Sequence, residues 1–123
     1  MNHPDYNSPA ELKKILDENG FSMQKKFGQN FLINAAARTK LIDALDIQKG
    51  TSVWEVGPGL GAMTSELLER GANLTVFEID RGFISLISQF FQSYSQQDSF
   101  RIIEGDVIKN WYGQTQNGTM LPQ

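Results

Sequence analysis

The sequence has no cysteine, a single histidine and no long apolar run. The absence of cysteine excludes disulfide bonds and metal sites built on thiolates. The histidine, His3, lies in a polar N-terminal stretch, where we expect a disordered tail rather than a metal ligand or a catalyst. No stretch approaches the roughly 18 apolar residues of a membrane-spanning helix, and the N-terminus lacks the apolar core of a signal peptide. These absences predict a soluble, cytoplasmic protein with no bound metal and no membrane partner.

The sequence also has no excess of positive charge. Its 123 residues carry 11 Lys and Arg against 14 Asp and Glu, for a formal net charge of −3. Residues 1–49 hold seven of the basic side chains, and residues 50–123 hold eight of the acidic ones. With 40% hydrophobic residues the chain can bury one core, which favours a single domain. Because basic groups must meet the phosphates, this chain by itself is a poor candidate for tight nucleic-acid binding.

The most informative stretch is Glu55-Val-Gly-Pro-Gly-Leu-Gly61, in which a carboxylate ends an apolar run and three alternate glycines open an amphipathic segment. Glycines tolerate positive φ and let a ligand approach the backbone, while a helix N-terminus offers free N–H groups. Two later carboxylates support a nucleotide site. Glu78 ends the next apolar run, at the spacing where an acidic side chain takes a ribose diol, and Asp106 follows a third run. The alternative interpretation is a plain tight turn between a strand and a helix.

Two nucleotide cofactors fit such a turn. With Ala62 in the last position, the glycine spacing matches a dinucleotide fingerprint, so a nicotinamide-binding domain of an oxidoreductase stays an alternative. Glu55 stands immediately before the turn, where its charge would repel a diphosphate and suit a cationic group such as the amino group of a methionine moiety. The residues therefore favour S-adenosylmethionine.

Strand and helix patterns alternate after residue 50. They predict an α/β fold with parallel strands and right-handed crossovers. The expected elements are a strand at 51–56, a helix at 61–70, a strand at 73–79, a helix at 81–93 and a strand at 100–105. Before them, Ser8 and Glu11 form a capping box for a short helix with its stop at Gly20. We expect a loop at residues 23–32 and a second helix from Asn34 to about Leu45, with Ala37, Leu41, Ile42 and Leu45 facing inward.

The string Lys25-Lys-Phe-Gly-Gln-Asn-Phe-Leu32, with the glycine turn, Glu78-Ile-Asp80 and Gly105-Asp106, resembles the ribosomal RNA adenine dimethyltransferase family. It is closer to the small-subunit (16S) rRNA dimethyladenosine transferases than to the erythromycin-resistance methylases. The resemblance covers residues 25 to about 110. It implies a Rossmann-like, S-adenosylmethionine-dependent methyltransferase domain over residues 25–123, preceded by a helical arm at residues 1–24. It also implies that the full-length enzyme dimethylates adenines of 16S rRNA during assembly of the small ribosomal subunit.

The resemblance also implies roles for individual residues. Gln29, Asn30 and Leu32 would close over the methionine end of the cofactor, above Gly57 and Gly59, while Glu78 would accept from the ribose hydroxyls, Asp106 from the adenine amine, and Ile79 and Val107 would sandwich the base. Simpler roles stay open for several of them. Leu32, Ile79 and Val107 could be ordinary core, Asn30 a loop amide, Asp80 a helix N-cap and Asp106 a turn residue.

The family's catalytic motif, an Asn-Leu-Pro-Tyr-like tetrad after the fourth strand, is absent from these 123 residues, as are the later strands and the C-terminal helical domain. No catalytic residue can therefore be assigned, and we interpret the sequence as an N-terminal portion that is inactive alone. A non-catalytic binding or assembly factor is a further alternative. In the expected topology the strand at 51–56 is central, so without a fourth strand one of its edges lacks a partner. Such an edge predicts self-association or a low melting temperature.

Overall fold

The computed structural model describes residues 3–21 and 35–108. They form a three-stranded parallel sheet with flanking helices, in the strand order β1-β2-β3. The predicted α/β order of strands and helices is therefore confirmed. The elements are α1 (Pro9–Glu18), α2 (Ala35–Ala44), β1 (Ser52–Val56), α3 (Ala62–Glu69), β2 (Asn73–Glu78), α4 (Arg81–Phe90), α5 (Gln92–Gln96) and β3 (Phe100–Glu104).

Helix α1 forms where its capping signal predicts. The Ser8 side chain accepts a hydrogen bond from the backbone N–H of Glu11 at 3.2 Å, and proline occupies the first helical turn. Leu12 and Leu16, four residues apart, are both buried, so the apolar stripe of this helix faces the rest of the molecule. Gly20, at φ +76°, follows the last turn and allows the chain to leave the helix.

The predicted helix at 81–93 is divided into two. Helix α4 ends at Phe90, and α5 begins at Gln92. Between them Phe91 leaves helical geometry, at φ −119° and ψ 28°, and its side chain is completely buried. Its ring lies edge-on to that of Phe100 on β3, with 5.7 Å between ring centroids. Burial of this ring against the sheet explains why the helix stops where a helical pattern in the sequence continues.

The inward face of α2 also differs from the prediction. Leu41 and Leu45 are more than half exposed, whereas Arg38 and Ile42 are buried. The prediction that Leu41 and Leu45 face inward was therefore wrong. The buried pair is four residues apart, and the Arg38 guanidinium Nη2 donates to the side-chain oxygen of Asn7 at 3.0 Å. A polar partner on the N-terminal arm thus allows an arginine to take an inward position that the sequence pattern gives to a leucine.

The strand register aligns the ends of the three strands. Val56 pairs with Phe77, and Glu78 pairs with Glu104, so the strands finish along one side, which we call the carboxyl edge of the sheet. Within the described ranges β1 pairs with β2 alone. The central strand β2 is buried on both faces from Leu74 to Glu78, as expected for a strand covered by helices.

Two apolar clusters hold the structure together. The larger one lies between the sheet and helices α2 to α4, and consists of Ile42, Leu67, Leu68, Ala72, Leu74, Val76, Ile87, Phe91 and Phe100. The smaller one joins α1 to α4 and contains Leu12, Leu16, Leu60, Phe83 and Leu86. Because Leu60 belongs to the glycine-rich segment after β1, α1 packs directly behind that segment. No helix in the described part of the chain is long and apolar enough to cross a membrane.

Candidate cofactor-binding site

The glycine turn, residues 57–61, begins at the carboxyl edge and leads into α3. Gly57 has φ +65°, and its N–H donates to the carbonyl of Phe77 at 2.9 Å, which keeps the turn beside the end of β2. A Cβ placed on Gly57 would have no other atom within 4 Å. The turn is therefore open at Gly57, where a ligand can reach the backbone.

Glu78 is held in a fixed orientation at the end of β2. Its side chain is buried, and Oε2 accepts hydrogen bonds from the backbone N–H groups of Ile79 at 2.8 Å and Asp80 at 3.0 Å. No donor from residues 3–21 or 35–108 is bonded to Oε1. Within these two ranges, one oxygen of the carboxylate is satisfied by the backbone and the other has capacity for ligand donors. The structure places Glu78 beside the turn as the sequence predicts, and its contact with ribose stays a prediction.

Glu55 lies on the same face of the sheet as Glu78. It pairs with Val76, and Glu78 is two residues beyond that partner, so the alternation of a strand directs both carboxylates to one side. Glu55 accepts a hydrogen bond from the Thr64 hydroxyl at 2.6 Å. Burial raises the pKa of Glu55 to about 7; the Thr64 hydrogen bond lowers that pKa and the charge of Glu78 raises it. The sequence prediction identified both carboxylates but missed Thr64, whose only signal is a hydroxyl in the first turn after the glycines.

Asp106 follows β3 at the same edge. The N–H of Gly105 donates to the carbonyl of Glu78 at 2.9 Å, which keeps the chain after β3 close to the end of β2. The Asp106 side chain is exposed, and its Oδ1 accepts from the N–H of Ile108 at 2.7 Å. The alternative role as a turn residue is therefore observed, and the adenine contact of Asp106 stays a prediction.

The carboxyl edge also exposes apolar side chains. Val56 is 63% exposed, Ile79 72% and Ile108 74%. Ile79 is thus not an ordinary core residue, which removes that alternative and leaves a surface that a planar base could cover. Val107 is half-buried. The exposure of Val56 and Ile108 was not foreseen, because an apolar residue at a strand end gives no sign of exposure in the sequence.

The remaining predicted site residues either lie outside the described ranges or have a structural role. Gln29, Asn30 and Leu32, expected at the methionine end of the cofactor, lie outside the described residues. Asp80 is an N-cap, since its Oδ1 accepts from the N–H groups of Gly82 at 2.8 Å and Phe83 at 3.2 Å. Residues 3–21 and 35–108 contain no group of three or more histidine, aspartate or glutamate side chains that could hold a metal ion.

The N-terminal arm reaches the glycine turn, which the sequence did not reveal. His3, expected in a disordered tail, stacks on Tyr6 with 5.3 Å between ring centroids, and its Nε2 lies 3.4 Å from the Ser65 hydroxyl. The expectation for His3 was therefore wrong, because aromatic and polar contacts hold the ring. The Tyr6 hydroxyl donates to the carbonyl of Leu60 at 2.6 Å. Burial, with the charge of Glu55, raises the pKa of Tyr6 far above its ordinary value.

Sequence comparison identifies close relatives. The family model described as Ribosomal RNA adenine dimethylase matches residues 20–117. The Ribosomal RNA small subunit methyltransferase A of Treponema denticola is 61% identical over 111 residues, which are 90% of this chain and 38% of that protein. The protein of the same name from Borreliella burgdorferi is 40% identical over 113 residues, or 92% of this chain and 39% of that protein. The chain therefore spans about two fifths of the length of these relatives.

Solved structures share the fold. The C-terminal domain of precorrin-6Y C5,15-methyltransferase from Rhodobacter capsulatus has a TM-score of 0.58 at 20% identity, over 66% of this chain and 44% of that one. A SAM-dependent methyltransferase from Thiobacillus denitrificans, in complex with S-adenosyl-L-homocysteine, has a TM-score of 0.51 at 17% identity, over 70% of this chain and 38% of that one. This similarity shows that the chain has a Rossmann-like fold. With a family model that matches most of its length, the chain belongs to the ribosomal RNA adenine dimethylase family.

Proposed function

We propose that this chain forms the S-adenosylmethionine-binding part of an rRNA adenine dimethyltransferase that acts on 16S rRNA in the small ribosomal subunit. The observation that carries the proposal is the position of the backbone-fixed carboxylate of Glu78 beside the open turn at Gly57. Family membership and the names of the relatives support the reaction and the RNA substrate. Action in the cytoplasm, where ribosomes are assembled, belongs to the same proposal.

The carboxyl edge offers a separate contact for each part of the cofactor. Oε1 of Glu78 suits two ribose hydroxyls, because a carboxylate oxygen accepts more than one hydrogen bond. The exposed side chain of Ile79 suits one face of adenine, and the backbone at Gly57 suits the chain that leads to the sulfur. We assign Asp106 to the adenine amine, with Asn30 and Leu32 at the methionine end. These assignments follow from the family resemblance.

Electrostatics favour this cofactor over a dinucleotide. Glu55 and Glu78 lie on one face of the sheet, close enough for the charge of one to raise the pKa of the other. A pyrophosphate placed at this turn would meet the charge of Glu78 and, above about pH 7, that of Glu55, and like charges that are partly shielded from water repel strongly. A sulfonium and an ammonium group would instead be attracted. This argument disfavours the oxidoreductase alternative.

The bound cofactor would supply an electrophilic methyl group for transfer to the exocyclic amine of adenine. The described residues contribute binding and orientation. A carboxylate fixed by two backbone N–H groups and a turn tied to β2 hold the reacting carbon in one place, which is how positioning lowers a barrier. The group that orients the target amine is not among the residues we assign.

Calorimetric titration tests the proposal. We expect the protein to bind S-adenosylmethionine and S-adenosyl-L-homocysteine and to bind NAD⁺ at least tenfold more weakly. Tighter binding of NAD⁺ would favour the oxidoreductase alternative. Absence of binding by all three ligands, in a preparation that melts cooperatively, would favour a non-catalytic binding factor.

A further inference from the structure

We propose that Tyr6, on the N-terminal arm, is a positioning residue that holds the glycine turn in its cofactor-binding shape from the side opposite the ligand. This inference rests on the proposed cofactor site. Its basis is the geometry around the peptide that joins Leu60 to Gly61, together with the packing that fixes Tyr6 itself.

The peptide between Leu60 and Gly61 is held at both ends. Its carbonyl oxygen accepts from the Tyr6 hydroxyl at 2.6 Å, and its N–H donates to the carbonyl of Pro58 at 2.9 Å. The next carbonyl, that of Gly61, accepts from the N–H of Ser65 at 2.9 Å and starts α3. Glycine permits a peptide to rotate through conformations closed to other residues. The Tyr6 hydrogen bond opposes such a rotation at the point where the turn becomes a helix.

The space beside Gly61 is filled by neighbouring side chains. A Cβ on Gly61 would lie 2.6 Å from the Phe91 ring and 3.1 Å from the Tyr6 hydroxyl oxygen. At Gly57 the corresponding space is empty. The two glycines thus have different surroundings. Gly57 leaves the backbone accessible to a ligand, whereas the missing side chain at Gly61 allows Tyr6 and Phe91 to contact the turn on its other side.

Tyr6 is itself well fixed. Its ring packs against both apolar clusters and stacks on His3. The following residue, Asn7, accepts from the buried guanidinium of Arg38 on α2 at 3.0 Å. Because burial and the charge of Glu55 raise the pKa of Tyr6, its hydroxyl keeps its proton throughout the physiological pH range and always donates. The carbonyl oxygen of Leu60 can only accept a hydrogen bond, so a hydroxyl that keeps its proton is the partner it needs.

Tyr6→Phe tests the proposal, because it removes one oxygen and keeps the ring. We expect about a three- to tenfold increase in the Kd for S-adenosyl-L-homocysteine, the loss that corresponds to one hydrogen bond. Ser8→Ala controls for a comparable loss of stability in the arm. It removes the N-cap hydrogen bond of α1 and leaves the hydrogen bond from Tyr6 to Leu60 intact. Tyr94→Phe is the matched chemical control on α5. Both controls should bind like the wild type.

Hydrogen exchange provides a second test, one that does not depend on measuring affinity. If Tyr6 holds the turn, the amides of Gly61 and Ser65 are protected before any cofactor is added, and Tyr6→Phe loses that protection while the amides of β2 keep theirs. Protection that arises only with the cofactor would overturn the proposal, as would a Tyr6→Phe protein with unchanged affinity. Failure of the wild type to bind would instead count against the cofactor site.

Discussion

Glu55, the penultimate residue of β1, accepts a hydrogen bond from the hydroxyl of Thr64 in the first turn of α3, with 2.6 Å between the two oxygens. This bond crosses the glycine turn and connects the strand before it to the helix after it. The carboxylate is partly shielded from solvent and near the charge of Glu78, so its pKa is raised to about 7 from an ordinary 4.5. The turn that we assign to the cofactor is therefore built around a carboxylate that titrates near neutral pH.

The raised pKa of Glu55 predicts how stability depends on pH. Between about pH 4.5 and pH 7 the folded state holds a proton at Glu55 that the unfolded state has lost, so the free energy of unfolding falls as pH rises through this range. The upper limit of the loss is of the order of 3 kcal/mol. Glu55→Gln keeps an oxygen acceptor for Thr64 and removes the charge. We expect it to be more stable than the wild type at pH 8 and about equal at pH 5.

Urea unfolding at these two pH values measures the effect. The other ionisable groups are common to both proteins, so the difference between the two proteins isolates Glu55. A variant that loses as much stability as the wild type between pH 5 and pH 8 would contradict the raised pKa.

Alanine substitutions at Gly57 and Gly50 distinguish the effect of backbone strain on stability from the effect of blocking the ligand on affinity. Both have positive φ, +65° and +86°, and a Cβ on either would have no other atom within 4 Å. Alanine at each position should cost roughly 1–2 kcal/mol of stability, because a left-handed conformation crowds a Cβ. Only Gly57→Ala places its methyl group where we expect the cofactor, so only this variant should lose affinity by tenfold or more. Equal affinities in a calorimetric titration would remove Gly57 from the site.

Ile79 provides a test of the adenine surface. Its side chain is 72% exposed, so Ile79→Ser should change stability by no more than about 0.5 kcal/mol. If adenine covers the side chain in the complex, the variant loses apolar contact worth about 1 kcal/mol, or roughly fivefold in Kd. Leu45→Ser, at a 54% exposed position on α2, is the control. Similar affinities for the two variants and the wild type would place adenine elsewhere.

Local signals in the sequence predicted the elements and the strand ends. A capping serine three residues before a glutamate specifies a helix start, and a carboxylate that closes an apolar run marks the end of a strand. The start of α1 and the positions of Glu55 and Glu78 near the ends of β1 and β2 therefore agree with the prediction. These features depend on residues that are near each other in the chain. The fixed orientation of Glu78 follows from its own neighbours, Ile79 and Asp80, and could have been anticipated by the same reasoning.

Contacts between distant parts of the chain could not be predicted in this way. Tyr6 and Leu60 are 54 residues apart, and nothing in the local pattern of either residue indicates the other. The break at Phe91 depends on packing against β3, and the inward position of Arg38 depends on Asn7. Each of these contacts exists only after the arm, the sheet and the helices have assembled.

The role of Glu78 is the central claim, and the affinity of Glu78→Gln for S-adenosyl-L-homocysteine tests it most directly. An amide keeps the size of the side chain but loses the charge that strengthens hydrogen bonds to the ribose hydroxyls, so binding should weaken by about 1–3 kcal/mol. Glu104→Gln is the matched control, since Glu104 pairs with Glu78 in the sheet but is exposed and bonded to Arg81. We predict a Kd increase of roughly 5- to 150-fold for Glu78→Gln alone. An unchanged Kd in a folded Glu78→Gln protein would contradict the assignment of this edge as the cofactor site.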